Sequence, residues 1–260
     1  MANDQESDSD AENLDLFTEP SDYYPPSPTP TTETHTLLSG RILTLRLVGH
    51  NPLWGHHLWN AGRLISTYLE SNPSLIKDKT VLELGAGAGL PGLVCGVLGA
   101  KKVVVTDYPD PDLVENLWKN IEANGFGGKE EKSVVVEGYC WGADSGPLLS
   151  HLLPQGLERK GFDVLILADL LFNHSEHGKL VATIQNTLAR KEDAKALVFF
   201  TPYRPWLYEK DMAFFGLVKE AGFTVEKVLE EKMEKVMFEK DPGDEELRKT
   251  VFGYVVQWKL

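Results

Sequence analysis

Residues 80–110 read TVLELGAGAGLPGLVCGVLGAKKVVVTDYPD, and the fold turns on this stretch. The apolar run Val81–Leu84 meets a cluster of glycines. Leu90–Leu98 then has the length and composition of a helix, and a second apolar run, Val103–Thr106, ends on an acid. Strand, turn, helix and strand in that order form a βαβ unit, which predicts an α/β fold with a largely parallel sheet. Gly87 to Gly92 satisfies G-x-G-x-x-G, and Asp107 follows at the distance expected of a ribose-binding acid. Glycine lets the backbone turn sharply and approach a ligand, while Pro91 suits a first helical turn because its missing N–H has no partner there anyway. An acid at the end of the second strand accepts the hydroxyls of a ribose. A tight turn that binds nothing is the alternative, and the order of strand, glycines, helix and acid argues against it.

Glu83 separates two cofactor classes. A dinucleotide sets its pyrophosphate against the helix N-terminus, and a carboxylate two residues before the first glycine, Gly85, repels it. S-adenosylmethionine carries an ammonium and a sulfonium instead of a phosphate, so the same carboxylate attracts it. The other reading of Glu83 is a buried acid satisfied by a nearby lysine or backbone amide.

Working outward, Arg41–Val48 alternates as a half-buried strand, and Leu58, Ala61, Leu64, Ile65 and Leu69 recur at helical spacing until Asn72-Pro73. After Asp107 come a helix at Leu113–Ala123, a strand at Val134–Glu137 and the apolar run of residues 162–172, which suits a strand buried on both faces. Leu180, Ile184 and Leu188 mark a helix. Residues 195–201 form a strand, 206–221 a helix and 223–230 a sixth core strand. The last strand, 250–260, is expected to return antiparallel beside the sixth across a charged turn with no helical pattern.

Residues 1–36 hold nine acids and no lysine or arginine, followed by a Pro/Thr-rich run; this composition predicts a disordered tail, with 37–260 as one domain. The cluster Leu14, Leu16 and Phe17 reads as incidental or as a docking peptide. Of the net charge of −13, the remainder carries 30 acids against 26 bases, an acidic balance that argues against nucleic acid. Two cysteines, Cys95 and Cys140, make neither a metal cluster nor a disulfide framework. No run approaches the roughly 18 apolar residues of a membrane helix, and no leader pattern opens the chain, so a cytosolic protein is expected.

VLELGAGAGLPGL (81–93), VTDYPD (105–110), NIEAN (120–124), GYCWG (138–142) and ADLLFNHSEH (168–177), preceded by GHNPLWGHHLWNAG (49–62), resemble the class I methyltransferases of the lysine methyltransferase-like branch. The likeness runs from about Leu14 to the C-terminus. WGHHLWNAG and TPYRPWLYEKD (201–211) point to the group that methylates protein amino termini and lysines of translation elongation factor 1-alpha, earlier described as nicotinamide N-methyltransferase-like. The resemblance implies a Rossmann-like, seven-stranded, mostly parallel sheet with an antiparallel last strand and helices on both faces. It implies S-adenosylmethionine held by Trp59, Glu83, Gly85, Ala86, Gly87, Asp107, Tyr108, Trp141 and Ala168, with no metal. Trp141 suits stacking on adenine, though core packing also explains a large aromatic there, and Trp54 competes with Trp59 for the pocket position. Asp169 and Phe172 stand where the family has an acid, two variable residues and an aromatic. Phe172 lacks the hydroxyl of relatives that carry tyrosine. Asn173 with Glu176 reads as a helix cap.

The implied chemistry is in-line methyl transfer to a neutral nitrogen, achieved mainly by alignment. A lysine, with a pKa of about 10.4, is almost wholly protonated at neutral pH, whereas an α-amine at about 7.7–8.0 is partly neutral. An amino terminus therefore needs less help from Asp169. Elongation factor 1-alpha is the implied partner and a monomer the expected state. A small-molecule N-methyltransferase and a non-catalytic module built on a cofactor fold stay open as alternatives.

Overall fold

Two short strands, β1 (Thr31–Thr36) and β2 (Ile42–Leu47), open the computed structural model, which describes residues 28–127, 133–152 and 161–260. They pair antiparallel from Thr31↔Leu47 to Thr36↔Ile42. This corrects the tail boundary. Residues 31–36 were assigned to the tail on composition, but their alternating β-branched threonines suit a strand once a partner exists, and Glu33 forms an ion pair with Arg63. Composition cannot register a partner that lies elsewhere in the chain. Residues 1–27, including the Leu14–Phe17 cluster, lie outside the described residues.

The chain continues through α1 (Asn60–Ser71), β3 (Thr80–Leu84), α2 (Leu90–Val97), β4 (Lys102–Asp107), α3 (Pro111–Ala123) and β5 (Val134–Gly138). Then follow α4 (Gly146–Ser150), β6 (Val164–Ala168), α5 (His177–Thr187), β7 (Lys195–Phe200), α6 (Tyr208–Glu220), β8 (Phe223–Lys232), α7 (Glu245–Arg248) and β9 (Thr250–Trp258). The main sheet has the order β5-β4-β3-β6-β7-β9-β8, with β3 to β7 parallel and β9 antiparallel to both β7 and β8. The Rossmann-like, seven-stranded expectation therefore holds. The last strand does lie beside the sixth, and it also inserts against β7, where Gly253 sits under the Phe199 ring; a Cβ on Gly253 would stand 2.8 Å from that ring.

Strand alternation divides the core into two layers. Val81, Val103, Val105, Ile166 and Phe199 face Ile65 and Leu69 of α1 and Leu93 and Val94 of α2. Leu82, Leu84, Val104, Leu165, Leu167 and Phe200 face Leu180 and Ile184 of α5 and Phe214 and Val218 of α6. The charged turn before the last strand contains a short helix, α7, which the sequence pattern missed. Four residues are too few for a periodicity, but Asp244 caps it by accepting from the Glu246 and Leu247 amides.

The N-terminal hairpin is fastened by an asparagine ladder. Asn120 Oδ1 accepts from Arg46 N at 2.7 Å and its Nδ2 donates to Arg46 O; Asn124 does the same for Thr44 N and O. Two side chains one helical turn apart thus replace a neighbouring strand for alternate residues of β2. Asn120→Ala should lower unfolding stability by about 1–3 kcal/mol, because it strands the part-buried Arg46 N–H and takes a donor from the buried Ala88 carbonyl, while Arg46 O keeps the Asn116 amide. A urea midpoint that does not move would show that water replaces the ladder at no cost.

Candidate active site

Strand order reverses between β3 and β6, which is where an open α/β sheet forms a crevice at its carboxyl ends. Register Leu84↔Leu167 sets the turn after β3 beside Ala168 and Asp169. A cavity of about 800 Å³ opens there, and every residue predicted from the sequence lines it. Gly85 and Gly87 have φ of 56° and 57°, the left-handed region in which a side chain is strained. A Cβ on Gly85 would come within 2.6 Å of Leu170 and 3.2 Å of Trp141, so the turn presses against both; at Gly87 it would meet nothing within 4 Å. Ala86 N donates to Thr106 O, anchoring the turn to β4.

Asp107 closes β4 and accepts from Gly87 N at 2.6 Å and from Tyr108 N at 2.7 Å. Burial raises its pKa and these two bonds oppose the rise. Tyr108 stands at the rim, 52% exposed. Trp141 lies partly buried against the glycine turn, and Trp59, at the entrance to α1, donates through Nε1 to Trp54 O at 3.2 Å. Both Trp54 and Trp59 reach the cavity.

Glu83 behaves differently from the open, attracting charge expected of it. It is fully buried, and Oε2 accepts the Gly92 amide at 2.7 Å within the first turn of α2. A Cβ on Gly92 would lie 2.6 Å from that oxygen, which explains why glycine is required there. Burial pushes the Glu83 pKa up to about 8, with the Gly92 bond opposing and the Asp107 charge adding to it. The backbone-satisfied reading therefore describes the geometry, although the residue still borders the cavity.

Asp169 follows β6 with φ of 55°. Its Oδ1 accepts from Thr201 N at 2.7 Å, and Oδ2 accepts from Ala61 N at 2.9 Å and Tyr203 Oη at 3.3 Å. The carboxylate thus ties the ends of β6 and β7 to the start of α1. Burial drives its pKa up to about 7 against those bonds. Asn173 does not cap a helix through its side chain. Ser175 Oγ occupies its Oδ1 at 2.9 Å, and a 3-10 turn begins instead.

Glu83 and Asp169 give the protein a pH signature. An unfolded glutamate or aspartate titrates at about 4.3 or 3.9, so between those values and about 8 and 7 the folded chain holds protons that the unfolded chain has released. Their stabilising contribution is present in full below about pH 4 and is lost as pH rises. The melting temperature of cofactor-free protein should fall from about pH 5 to 8. Glu83→Gln should flatten that slope in a calorimetric pH series, and an unchanged slope would remove Glu83 from the account.

A second cavity, of about 310 Å³, adjoins the first and shares Trp54, Trp59, Asp169, Phe172 and Arg204 with it. Phe172 stands at the junction, 41% exposed, and Arg204 holds its carbonyl. The far wall consists of Phe200, Tyr203, Asp211, Phe238 and Asp241. Of these, Tyr203 and Asp211 lie in the quoted segment 201–211 without having been singled out. Phe238 and Asp241 carry no sequence signal, since they belong to a stretch read only as a charged turn.

The family model described as lysine methyltransferase matches residues 40–221. The chain belongs to that family. It is similar to a protein of Neurospora crassa named protein N-terminal and lysine N-methyltransferase efm7, with 58% identity over 96% of this chain and 90% of that one. A Schizosaccharomyces pombe protein of the same name is 42% identical over 95% and 96%. Among solved structures, Pyrococcus horikoshii TYW2 in complex with MeSAdo superposes with a TM-score of 0.54 at 20% identity, covering 90% of this chain and 73% of that one. A precorrin-6y C5,15-methyltransferase of Geobacter metallireducens gives 0.50 at 12% identity, covering 80% and 98%. The family is an enzyme family whose methyl donor is S-adenosylmethionine, and the residues present fit that cofactor: a half-buried carboxylate at the end of β4, left-handed glycines facing open space at Gly87, and an aromatic wall at Trp141.

Proposed function

We propose that this methyltransferase modifies an α-amino group at a protein amino terminus, and a neighbouring lysine, with translation elongation factor 1-alpha as the substrate. The observation that carries the reading is the second cavity, which shares Asp169 with the cofactor cavity and is lined by aromatic rings, by the carboxylates Asp169, Asp211 and Asp241, and by Arg204, whose guanidinium is held on the Phe172 carbonyl. Such a lining favours an amine that is cationic when it arrives, through ring quadrupoles and opposite charge. The names of the curated relatives at 42–58% identity point the same way. A cytoplasmic, monomeric enzyme goes with this reading; among the described residues no helix is long and apolar enough to cross a membrane.

S-adenosylmethionine, when bound, supplies a methyl group on a sulfonium. Gly85, Ala86, Gly87, Asp107 and Trp141 would hold the cofactor, with Trp59, Tyr108 and Ala168 completing the walls. Phe172 and Trp59, which line both cavities, would restrict how the amine approaches the cofactor, and alignment of this kind supplies much of the acceleration. Asp169 lines both cavities, and its carboxylate has about four lone-pair positions against the three bonds from Thr201 N, Ala61 N and Tyr203 Oη, which leaves one for the amine. With its pKa near 7, matched to an α-amine, Asp169 takes a proton from the arriving ammonium at neutral pH.

The test is incubation with methyl-labelled cofactor and a cell extract. Label should enter a protein of the elongation factor's mass, and tryptic peptides should place it at the amino terminus. Label confined to small molecules would sink this reading in favour of small-molecule methylation.

A further inference from the structure

The stretch between β8 and β9 reaches the substrate-side cavity from the far edge of the sheet. It lies beyond residue 221, outside the span matched by the family model. Phe238 is its contribution to the cavity wall, with ring centroids 5.9 Å from Trp59, 5.9 Å from Tyr203 and 5.3 Å from His57. All three contacts are edge-to-face, at 64°, 69° and 75°, a specific arrangement that fixes where the ring stands. Asp241 follows one turn later and lines the same cavity.

The ring is held from behind. Arg248, in α7, is buried to 5% exposure and donates from Nη1 to the Phe238 carbonyl at 2.7 Å. The stretch is pinned at its ends by Met233 N to Lys249 O at 2.8 Å and by Gly243, whose Cα packs near Pro205 and Trp206 of the β7–α6 turn; a Cβ there would lie 3.2 and 3.5 Å from them. A buried arginine fixed on one carbonyl is a costly arrangement unless that carbonyl's position matters.

We infer that residues 233–249 form a substrate-selecting strap in which Phe238 is the specificity-determining contact and Arg248 its positioning residue. The ligand class is a primary amine on an unbranched, projecting chain. Phe238, Trp59 and Tyr203, packed edge to face, form one aromatic corner of the cavity against which a slender aliphatic ammonium can lie, and Asp241, on the same lining, adds a carboxylate of opposite charge. The inference rests on the cavity's role as the amine site, and it adds that the selecting wall is built by a segment outside the family core.

Two probes separate this inference from the substrate assignment. In the complex with S-adenosylhomocysteine, n-butylammonium chloride titrated by NMR reads the cavity without reference to any protein. Phe238→Ala should weaken it at least fivefold, Phe238→Tyr should stay within twofold because it keeps the ring, and Arg248→Ala should fall between them. Calorimetric affinity for S-adenosylhomocysteine should stay within twofold in Phe238→Ala and Phe238→Tyr. The second probe is the ten-residue amino-terminal peptide of elongation factor 1-alpha, for which KM should rise about tenfold in Phe238→Ala with kcat changed less than threefold. Phe238→Leu, which keeps most of the buried volume, serves if the alanine variant does not fold, and should give at least a threefold loss with butylammonium. Loss of butylammonium binding together with a peptide the wild type never methylates would uphold the strap and overturn the substrate. Unchanged butylammonium affinity in Phe238→Ala or Phe238→Leu, or an equal loss of S-adenosylhomocysteine, would overturn the strap.

Discussion

Asp107→Ala will raise the dissociation constant for S-adenosylmethionine by about 100-fold or more. The carboxylate ends β4 and holds two backbone amides, Gly87 N at 2.6 Å and Tyr108 N at 2.7 Å, so it shapes the glycine turn from beneath. An ionised carboxylate has about four lone-pair positions, and the two left over face the cavity where ribose hydroxyls are expected. Removing it loses two hydrogen bonds from ribose hydroxyls to a charged acceptor, at about 1.5–3 kcal/mol each, and leaves the part-buried Gly87 amide without its partner, which loosens the turn. Even partial compensation by water leaves more than the 2.8 kcal/mol or so that corresponds to 100-fold. Calorimetry with the cofactor measures this directly, and Asp107→Asn, which keeps one oxygen, should fall near tenfold. An alanine variant within threefold of wild type would move the ribose elsewhere.

Asp169→Asn should reduce kcat by about 100- to 1,000-fold while S-adenosylhomocysteine affinity stays within threefold. Asparagine tolerates the φ of 55° better than most residues and keeps the size of the side chain. It retains a single acceptor oxygen, so either the Ala61 or the Thr201 amide faces an NH2 group, and the proton acceptor is gone. General bases contribute about 100- to 10,000-fold. The pH profile supplies the decisive signature. With the Asp169 pKa raised by burial to about 7, the carboxyl is protonated below that value, and kcat/KM should fall about tenfold per pH unit as the solution becomes more acidic. Above it only the amine's own titration remains. The asparagine variant should lose the lower step, and a profile of unchanged shape would show that Asp169 positions the amine without exchanging a proton.

The glycine turn and Asp107 were legible because each is local: a few neighbouring residues fix a strand end, a turn and what projects from it, whereas the acid-x-x-aromatic run at Asp169–Phe172 was picked out by resemblance to the family. The direction of Glu83 was not. Its position in the chain shows an acid beneath the turn, but whether it faces the cofactor or the Gly92 amide depends on how α2 seats on β3 and β4. The strand at residues 31–36 was hidden for the same reason, since its partner is β2 and β2 is fastened by Asn120 and Asn124 far along the chain. Phe238 had no local signature at all, because its contacts are with residues 57, 59 and 203.

The sequence by itself determined the α/β class, the order of the core strands along the chain, the antiparallel return of the last one and the glycines and acid that gather at the carboxyl ends of β3 and β4. These follow from periodicity, glycine conformation and short-range spacing. Only the tertiary structure decided that Asp169 is shared among three elements, that Glu83 is sealed beneath a helix, and that a segment from the opposite edge of the sheet lines the second cavity. Burial and long-range hydrogen bonds set those outcomes, and both come into being only when distant parts of the chain meet.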